Sequence, residues 1–189
     1  MNEKLNEAIT FAAEAHQDQM RKLSGIPYIV HPMEVAAIIG SMTPDQEVIM
    51  AGLLHDTVED CNVDPRVIKS RFGARVAALV QSETEDKLSD RPASETWMQR
   101  KEESLLMLQN TKDIGVKILW LGDKLSNMRS FYQEYLRSGV KMWERFNQKD
   151  PKMQCWYYEE VAEHLKELSN HYAYIEYVDL INKVFHGEE

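Results

Sequence analysis

The residues with the clearest chemical potential are an adjacent histidine and aspartate, His55 and Asp56, near the end of an apolar segment. Glu59 follows His55 by four residues, and Asp60 follows Asp56 by four. Residues four apart lie on the same face of a helix, so the sequence brings one imidazole and three carboxylates close together. Such a cluster repels itself unless a cation is present, because nearby like charges disfavour ionisation. The pattern therefore predicts a metal-binding site.

Two further polar residues are candidates to complete this site. His31 lies in a proline-flanked turn at residues 28–32, just before a predicted helix. Asp123 interrupts an apolar run, where a lone carboxylate is costly unless it is paired or bound to a metal. Asn127 and Ser130 share a helical face with Asp123. Two histidines and two aspartates form a mixed nitrogen and oxygen ligand set, which suits Mn²⁺, Fe²⁺ or Zn²⁺ better than Mg²⁺.

The spacing of these four residues, and longer stretches around them, carry a family resemblance. The order His31, then His55-Asp56, then Asp123 resembles the ligand set of the HD-domain metal-dependent phosphohydrolases. The wider sequence is similar to the hydrolase half of RelA/SpoT proteins, on the following segments: Arg21-Lys22, Pro27-Tyr28-Ile29, His31-Pro32, Val35-Ala36, 53–60, Phe72-Gly73, Lys117, Asp123-Lys124-Leu125 and Asn127-Met128-Arg129. With no synthetase or regulatory region in the sequence, the chain most resembles the stand-alone small alarmone hydrolases. The resemblance covers about residues 1–131.

The resemblance implies a reaction and a set of functional residues. The implied enzyme is a Mn²⁺-dependent 3′-pyrophosphohydrolase that acts on guanosine tetra- and pentaphosphate. The residues that match its metal ligands are His31, His55, Asp56 and Asp123. The residues that match its catalytic acids are Glu59 and Asp60. The residues that match its substrate-binding groups are Arg21, Lys22 and Asn127, with Lys87 and Lys101 in a loosely aligned basic region.

These residue types agree with the implied chemistry. A metal held by two imidazoles and two carboxylates lowers the pKa of a water molecule, which would attack the 3′-pyrophosphate to give GDP and pyrophosphate. Glu59 or Asp60 is expected to take the proton or to orient that water. The metal, Arg21 and Lys22 are expected to neutralise the charge that grows on the phosphate oxygens.

Several positions depart from the family pattern and keep other functions open. Gly122 stands where alanine is commoner, and Lys124 where arginine often stands, while residues 81–87 are shifted in character. Residues 139–158 carry five aromatic side chains, and this segment is unlike the corresponding part of the small hydrolases. The second hypothesis is therefore an HD-domain phosphohydrolase that acts on another nucleotide or phosphoester. A third is a non-catalytic nucleotide-binding scaffold.

Each candidate residue also has a purely structural interpretation. His55 and Asp56 would otherwise form a helix cap or a surface pair, and His31 would be a turn histidine bonded to the backbone. Asp123 would otherwise belong to a buried ion pair. Solvated or paired side chains are the alternative for the remaining candidates: Arg21, Lys22, Lys87, Lys101 and Asn127. A solvated loop is expected for three acids: Glu83, Glu85 and Asp86. The aromatic residues at 139–158 are expected to pack rather than to bind a base.

The elements that must position these residues are helices, because apolar residues recur at helical spacing and alternating strand patterns are almost absent. The predicted helical segments are 2–19, 32–41, 44–59, 65–72, 74–83, 95–110, 113–136, 151–168 and 169–185. Thr43 is expected to cap the segment 44–59, with proline at its first position. The predicted fold class is all-α, an HD-domain helical bundle of about eight to ten helices.

Composition and charge limit the class of protein further. The chain has 189 residues, 43% hydrophobic and 28% charged, and we expect one HD-type domain over 1–189, with motifs within 16–131 and C-terminal helices in 132–189. The net charge of −9 argues against duplex nucleic acid as a binding partner. No segment is long and apolar enough for a membrane span, and two cysteines indicate a reducing, cytoplasmic location. A small nucleotide is the expected partner, and the sequence leaves open whether the chain forms a homo-oligomer.

Overall fold

The protein is built from helices throughout. The computed structural model describes residues 2–86, 88 and 90–187. Over these residues there are nine α-helices and no strand, which confirms the predicted all-α class. The α-helices are α1 Asn2–Ala15, α2 Val30–Met42, α3 Gln46–Cys61, α4 Pro65–Phe72, α5 Ala74–Glu83, α6 Ala93–Asn110, α7 Ile114–Ser138, α8 Pro151–His164 and α9 Tyr172–Ile181. Short 3₁₀ segments follow α7 and α8 at Gly139–Arg145 and Lys166–Leu168, and a π turn at Asn182–His186 follows α9.

Aspartates begin four of these helices. The side chains of Asp45, Asp64, Asp113 and Asp150 each accept a backbone N–H from the residue two positions ahead, which satisfies a donor that the first turn leaves free. The prediction that Thr43 caps α3 is therefore wrong. Thr43 instead ends α2, because its N–H donates to the Ile39 carbonyl at 3.0 Å.

Helices α2, α3 and α7 approach each other closely around one buried isoleucine, Ile39 of α2. A Cβ at Gly52 of α3 would lie 2.5 Å from Ile39 Cδ1, and a Cβ at Gly122 of α7 would lie 2.9 Å from Ile39 Cγ1. Only glycine fits at these two contacts without movement of Ile39. The close contact matters for function because His55 follows Gly52 by three residues, and Asp123 follows Gly122 directly.

The C-terminal helices complete the same core. One continuous hydrophobic cluster runs from Ala8 in α1 to Val184 after α9. Ring contacts connect Phe131 of α7 to Trp143, Phe146 and Tyr158, with centroid separations of 5.1–5.4 Å. The predicted packing role of the aromatic segment is therefore confirmed for most of its members. Within the described ranges, no helix has the length and apolar character that crossing a membrane requires.

Candidate active site

Four side chains from three helices meet at the centre of the bundle. The Nε2 atom of His31, in the first turn of α2, lies 3.0 Å from Asp123 Oδ1 and 3.5 Å from Asp56 Oδ2. The Nε2 atom of His55, towards the end of α3, lies 3.0 Å from Asp56 Oδ2 and 3.6 Å from Asp123 Oδ1. The structure thus brings together all four residues that the sequence singled out as metal ligands.

The Nδ1 atoms of both imidazoles make hydrogen bonds outside the cluster, so the Nε2 atoms face the carboxylates. His55 Nδ1 donates to the Gly52 carbonyl at 2.9 Å, so Nε2 is the nitrogen left for a metal, and it faces Asp56 and Asp123. His31 Nδ1 lies 2.8 Å from Ser126 Oγ, whose hydroxyl donates to Glu34 Oε2 at 2.7 Å. A histidine held through its other ring nitrogen is typical of metal sites. These donors therefore fit a divalent cation.

The electrostatics of the cluster also call for positive charge. Burial lowers the pKa of His31 below its usual range, which favours the neutral imidazole that a metal needs. Burial acts the same way on His55, but the carboxylates of Asp56 and Asp123 outweigh it and hold the pKa of His55 well above its usual value. The carboxylates of Asp56 and Asp123, the second of them buried, thus demand a proton or a cation between them.

The two predicted catalytic acids lie in different surroundings. Glu59 faces the metal-ligand cluster, and its Oε2 accepts the Glu85 backbone N–H at 3.0 Å. Burial raises the pKa of Glu59 to about 7. Asp60 lies beside it but lines a larger neighbouring cavity, with Tyr28 Oη 3.4 Å from its Oδ2. The structure therefore separates the pair, and Glu59 is the acid that shares a cavity with the cluster.

Two neighbouring cavities lie at and beside the cluster. The smaller, of about 190 Å³, contains the four clustered residues and Glu59. The larger, of about 620 Å³, is more apolar and extends from Arg21 to Phe146. Tyr28 and Asn127 line both, so the two cavities are neighbours separated by these side chains.

A tight turn before α2 carries the predicted substrate-binding cations. The Arg21 N–H donates to the Ile26 carbonyl at 2.9 Å, and Gly25 closes the turn with φ of +68°, a conformation that favours glycine. The Arg21 guanidinium then donates to Asn127 Oδ1 at 3.0 Å and to Ser130 Oγ at 3.1 Å. Lys22 is exposed at the rim of the larger cavity.

Asn127 joins these cations to the cluster. Its Nδ2 donates to Asp123 Oδ1 at 2.8 Å while its Oδ1 accepts from Arg21. One amide therefore connects a predicted metal ligand with a predicted substrate-binding residue. The shared helical face of Asp123, Asn127 and Ser130 is the sequence feature that makes this connection.

Lys101 reaches the smaller cavity, but it is not a free cation. Its Nζ lies 2.6 Å from Glu85 Oε1, and Arg100 donates to Glu85 Oε2 at 2.9 Å. The prediction of a solvated Glu85 is therefore wrong, because two cations of α6 draw its carboxylate inward. Lys87 lies outside the described residues.

Glu83 also contradicts its predicted place in a solvated loop. It is the last residue of α5, its side chain is 3% exposed, and it lines the smaller cavity. Burial raises the pKa of Glu83 to about 7. Asp86, in contrast, is exposed as predicted.

Sequence reasoning missed Tyr28 and Lys124, which contact the two carboxylates of the cluster. The Tyr28 hydroxyl donates to Asp56 Oδ2 at 2.7 Å, and Lys124 Nζ donates to Asp123 Oδ2. Tyr28 stands three residues before His31, and Lys124 stands next to Asp123, so adjacency to predicted ligands was the available signal. Phe146 is the member of the aromatic segment that lines the larger cavity.

Comparison with known proteins places this arrangement in a family. A family model described as HD domain matches residues 8–149. A protein of Aquifex aeolicus named guanosine-3′,5′-bis(diphosphate) 3′-pyrophosphohydrolase is 38% identical over 130 residues, which cover 69% of this chain and 18% of that protein. A GTP pyrophosphokinase of Myxococcus xanthus is also 38% identical over 130 residues, which cover 67% of this chain and 17% of that protein. The chain thus spans less than a fifth of the length of these curated relatives.

A solved structure gives the same result over almost the whole chain. It is a metazoan ortholog of SpoT, described as hydrolysing ppGpp and acting in starvation responses. It is 25% identical in sequence to this chain and matches its fold with a TM-score of 0.74. The match covers 96% of this chain and 94% of the neighbour's chain. Because the family model spans most of the residues and this fold matches almost throughout, the chain belongs to the HD-domain family.

Proposed function

We propose that the protein is a metal-dependent guanosine-3′,5′-bis(diphosphate) 3′-pyrophosphohydrolase. The observation that carries this proposal is a pair of neighbouring cavities. The smaller one is polar and contains two histidines and two aspartates, and the larger one has a volume of about 620 Å³. A cavity of that volume suits a nucleotide-sized ligand. The names of the Aquifex aeolicus relative and of the metazoan neighbour support the same substrate.

The metal ligands in this proposal are His31, His55, Asp56 and Asp123. A divalent cation held there would polarise water and neutralise charge on the reacting phosphate. Mn²⁺ is the cation we propose, because a mixed set of imidazole and carboxylate donors suits it, while Fe²⁺ and Zn²⁺ suit the same donors. The Tyr28 hydroxyl holds Asp56 in place from the side of the larger cavity.

Glu59 is the residue we assign to proton transfer. In the reaction, a water oxygen bonds to the phosphorus attached to the 3′-oxygen. The bond between that phosphorus and the 3′-oxygen breaks, the 3′-oxygen takes up a proton, and GDP and pyrophosphate leave. With a pKa raised to about 7, the Glu59 carboxylate can accept the proton of that water near neutral pH. Asp60 assists from the neighbouring cavity, where it contacts Tyr28.

The substrate-binding residues in this proposal are those at the junction of the cavities. Arg21 and Lys22 supply positive charge in a protein whose overall charge is −9. Arginine suits phosphate because its planar guanidinium donates two parallel hydrogen bonds. Asn127 contacts the nucleoside, and Lys101 attracts the pyrophosphate at the smaller cavity.

We propose that the whole chain is one domain. Support comes from the continuous hydrophobic core between Ala8 and Val184, which includes the C-terminal helices as well as the motif region. We also propose a cytoplasmic location, which the low cysteine content, two in 189 residues, supports.

The test is turnover by metal-stripped protein reloaded with Mn²⁺. With guanosine 3′,5′-bis(diphosphate) as substrate, anion-exchange chromatography should resolve GDP and pyrophosphate, and a chelator should abolish both. Bound Mn²⁺ with no such products would contradict the proposed substrate. The same assay with other nucleotides and phosphoesters would then test the second hypothesis, and inactivity on all of them would favour a non-catalytic scaffold.

Asp56→Ala tests the proposed metal ligands. The variant removes a donor that lies within 3.5 Å of both imidazoles, so both Mn²⁺ content and turnover should be lost. Metal content is measured by elemental analysis after dialysis. A variant with normal Mn²⁺ content would show that the metal binds elsewhere.

A further inference from the structure

Glu83 is a buried acid that none of the roles above explains. Its side chain is 3% exposed, and neither carboxylate oxygen has a hydrogen-bond partner. A carboxylate without hydrogen bonds in such a position is costly, so burial of this kind calls for a cation or a bound proton. The residue also lines the smaller cavity, where the predicted metal ligands meet.

The position of Glu83 makes it part of the metal cluster. Ligand atoms of His55, Glu83 and Asp123 all lie within 4.8 Å of one another. A second triad with the same property consists of His31, His55 and Asp56. Glu83 therefore adds a third carboxylate to the four donors that the sequence identified.

The two triads describe one cation position, because they share His55. The Nδ1 atom of His55 donates to the Gly52 carbonyl, so only Nε2 can bind a metal. A single imidazole nitrogen has one lone pair and binds one cation. A cation on His55 Nε2 is thus within reach of the donors of both triads.

The nearest competing partner of Glu83 is Lys124. Its ammonium lies 4.0 Å from Glu83 Oε1, too far for a hydrogen bond, and donates instead to Asp123 Oδ2. Lys124 thus leaves both oxygens of Glu83 without a hydrogen bond.

We propose that Glu83 is a fifth protein ligand of the divalent cation, which gives a set of two imidazoles and three carboxylates. This inference rests on the metal-binding part of the proposed function. A third carboxylate raises the share of oxygen donors and exceeds the four ligands of tetrahedral Zn²⁺ sites. The set therefore favours Mn²⁺ over Zn²⁺ more strongly than the four ligands alone.

The test compares Mn²⁺ affinity between variants of the full chain. Glu83→Gln keeps the shape of the side chain but removes its charge, and its dissociation constant for Mn²⁺, measured by equilibrium dialysis, should rise at least tenfold. Glu59→Gln is the matched control, because it removes the same charge from the same cavity but belongs to neither triad. Its dissociation constant should stay within about threefold of the wild type, since charge at a distance acts more weakly than a direct bond.

A second variant and a second readout guard against a folding defect. Glu83→Leu fills the buried space without a polar group, so it should fold and show the same loss of Mn²⁺ affinity. Co²⁺ in place of Mn²⁺ should give a visible absorption spectrum that changes in both Glu83 variants and not in Glu59→Gln. Wild-type affinity and an unchanged spectrum in the Glu83 variants would overturn the fifth ligand alone. A wild-type chain that binds no Mn²⁺ would overturn the metal site as a whole.

Discussion

At the scale of single residues, Glu59 combines a raised pKa with a place in the cavity of the metal cluster. Glu59→Gln keeps the acceptor for the Glu85 N–H but cannot take a proton. Turnover should therefore fall by ~10²–10⁴-fold, the usual contribution of acid–base catalysis, while Mn²⁺ content stays normal. Steady-state kinetics and elemental analysis measure the two effects. Near-normal turnover in this variant, together with a large loss in Asp60→Asn, would move the role to Asp60.

The same residue predicts how stability depends on pH in the metal-free protein. Folding raises the pKa of Glu59 from 4.5 to about 7, so between these values the folded carboxyl holds a proton that the unfolded chain releases. The free energy of unfolding therefore falls as pH rises through this range, by at most about 3 kcal/mol. Glu59→Gln should match the wild type below pH 4.5 and exceed it at pH 8 in urea titrations. Equal stability at pH 8 would mean that the pKa is not raised.

At the scale of elements, a chain of polar contacts connects His31 to α9. Ser126 lies between His31 and Glu34, and Arg129 donates to Glu34 Oε1 at 3.0 Å and to both carboxylate oxygens of Glu176 at 2.6 and 2.7 Å. Helices α2, α7 and α9 thereby fix the orientation of the imidazole. The contacts cross from residues near the proposed metal to a helix beyond the span of the family model.

Ser126→Ala tests this chain of contacts. Loss of the hydroxyl leaves His31 Nδ1 without its partner, so Mn²⁺ affinity should fall by about 10–100-fold. Ser130→Ala is the matched control one turn along α7, because Ser130 contacts Arg21 rather than a predicted ligand. That variant should keep Mn²⁺ affinity and raise the KM for the nucleotide. Equal Mn²⁺ affinity in both serine variants, by calorimetric titration, would contradict the orienting role.

The close contact of α2 with α3 gives a second test. Gly52→Ala places a methyl group 2.5 Å from Ile39 Cδ1 and should cost ~1–3 kcal/mol of stability through overpacking, partly offset by ~1 kcal/mol of helix propensity. In an Ile39→Val background the Cδ1 atom is absent, so the same change should be neutral or stabilising. Urea unfolding of the four proteins should give a coupling energy of ~1 kcal/mol or more. Gly40→Ala, with its nearest neighbour 4.0 Å away, should stabilise in either background.

The elements also show what the sequence can and cannot predict. The spacing of apolar residues identified the helices, since α4 and α5 match their predicted ranges and the others differ by a few residues. Glu83 and Glu85 were misjudged because local sequence shows only that they are acidic. Their burial depends on cations from distant helices. Lys101 of α6 follows Glu85 by 16 residues, and Lys124 of α7 follows Glu83 by 41 residues. Local patterns identify donors and helices, whereas distant contacts decide which charges are buried.

At the scale of the whole molecule, the proposed single domain depends on α9 packing into the common core. Tyr177 of α9 is fully buried, and its hydroxyl donates to the Tyr158 carbonyl of α8 at 3.0 Å. Tyr172, in the same helix, is 77% exposed. The two tyrosines thus form a matched pair that differs in burial rather than in residue type or helix.

Tyr177→Ala should lower the free energy of unfolding by ~3–5 kcal/mol, as other buried aromatic truncations do, because it leaves a cavity and an unpaired carbonyl. Tyr172→Ala should change it by less than ~0.5 kcal/mol. If the chain is one domain, urea unfolding of both variants stays a single transition when followed by circular dichroism and by tryptophan fluorescence. If α9 instead folded apart from the motif region, Tyr177→Ala would shift a minor transition and leave Mn²⁺ binding at wild-type strength. A loss of stability shared by both probes would show that α9 and the metal-binding helices unfold together.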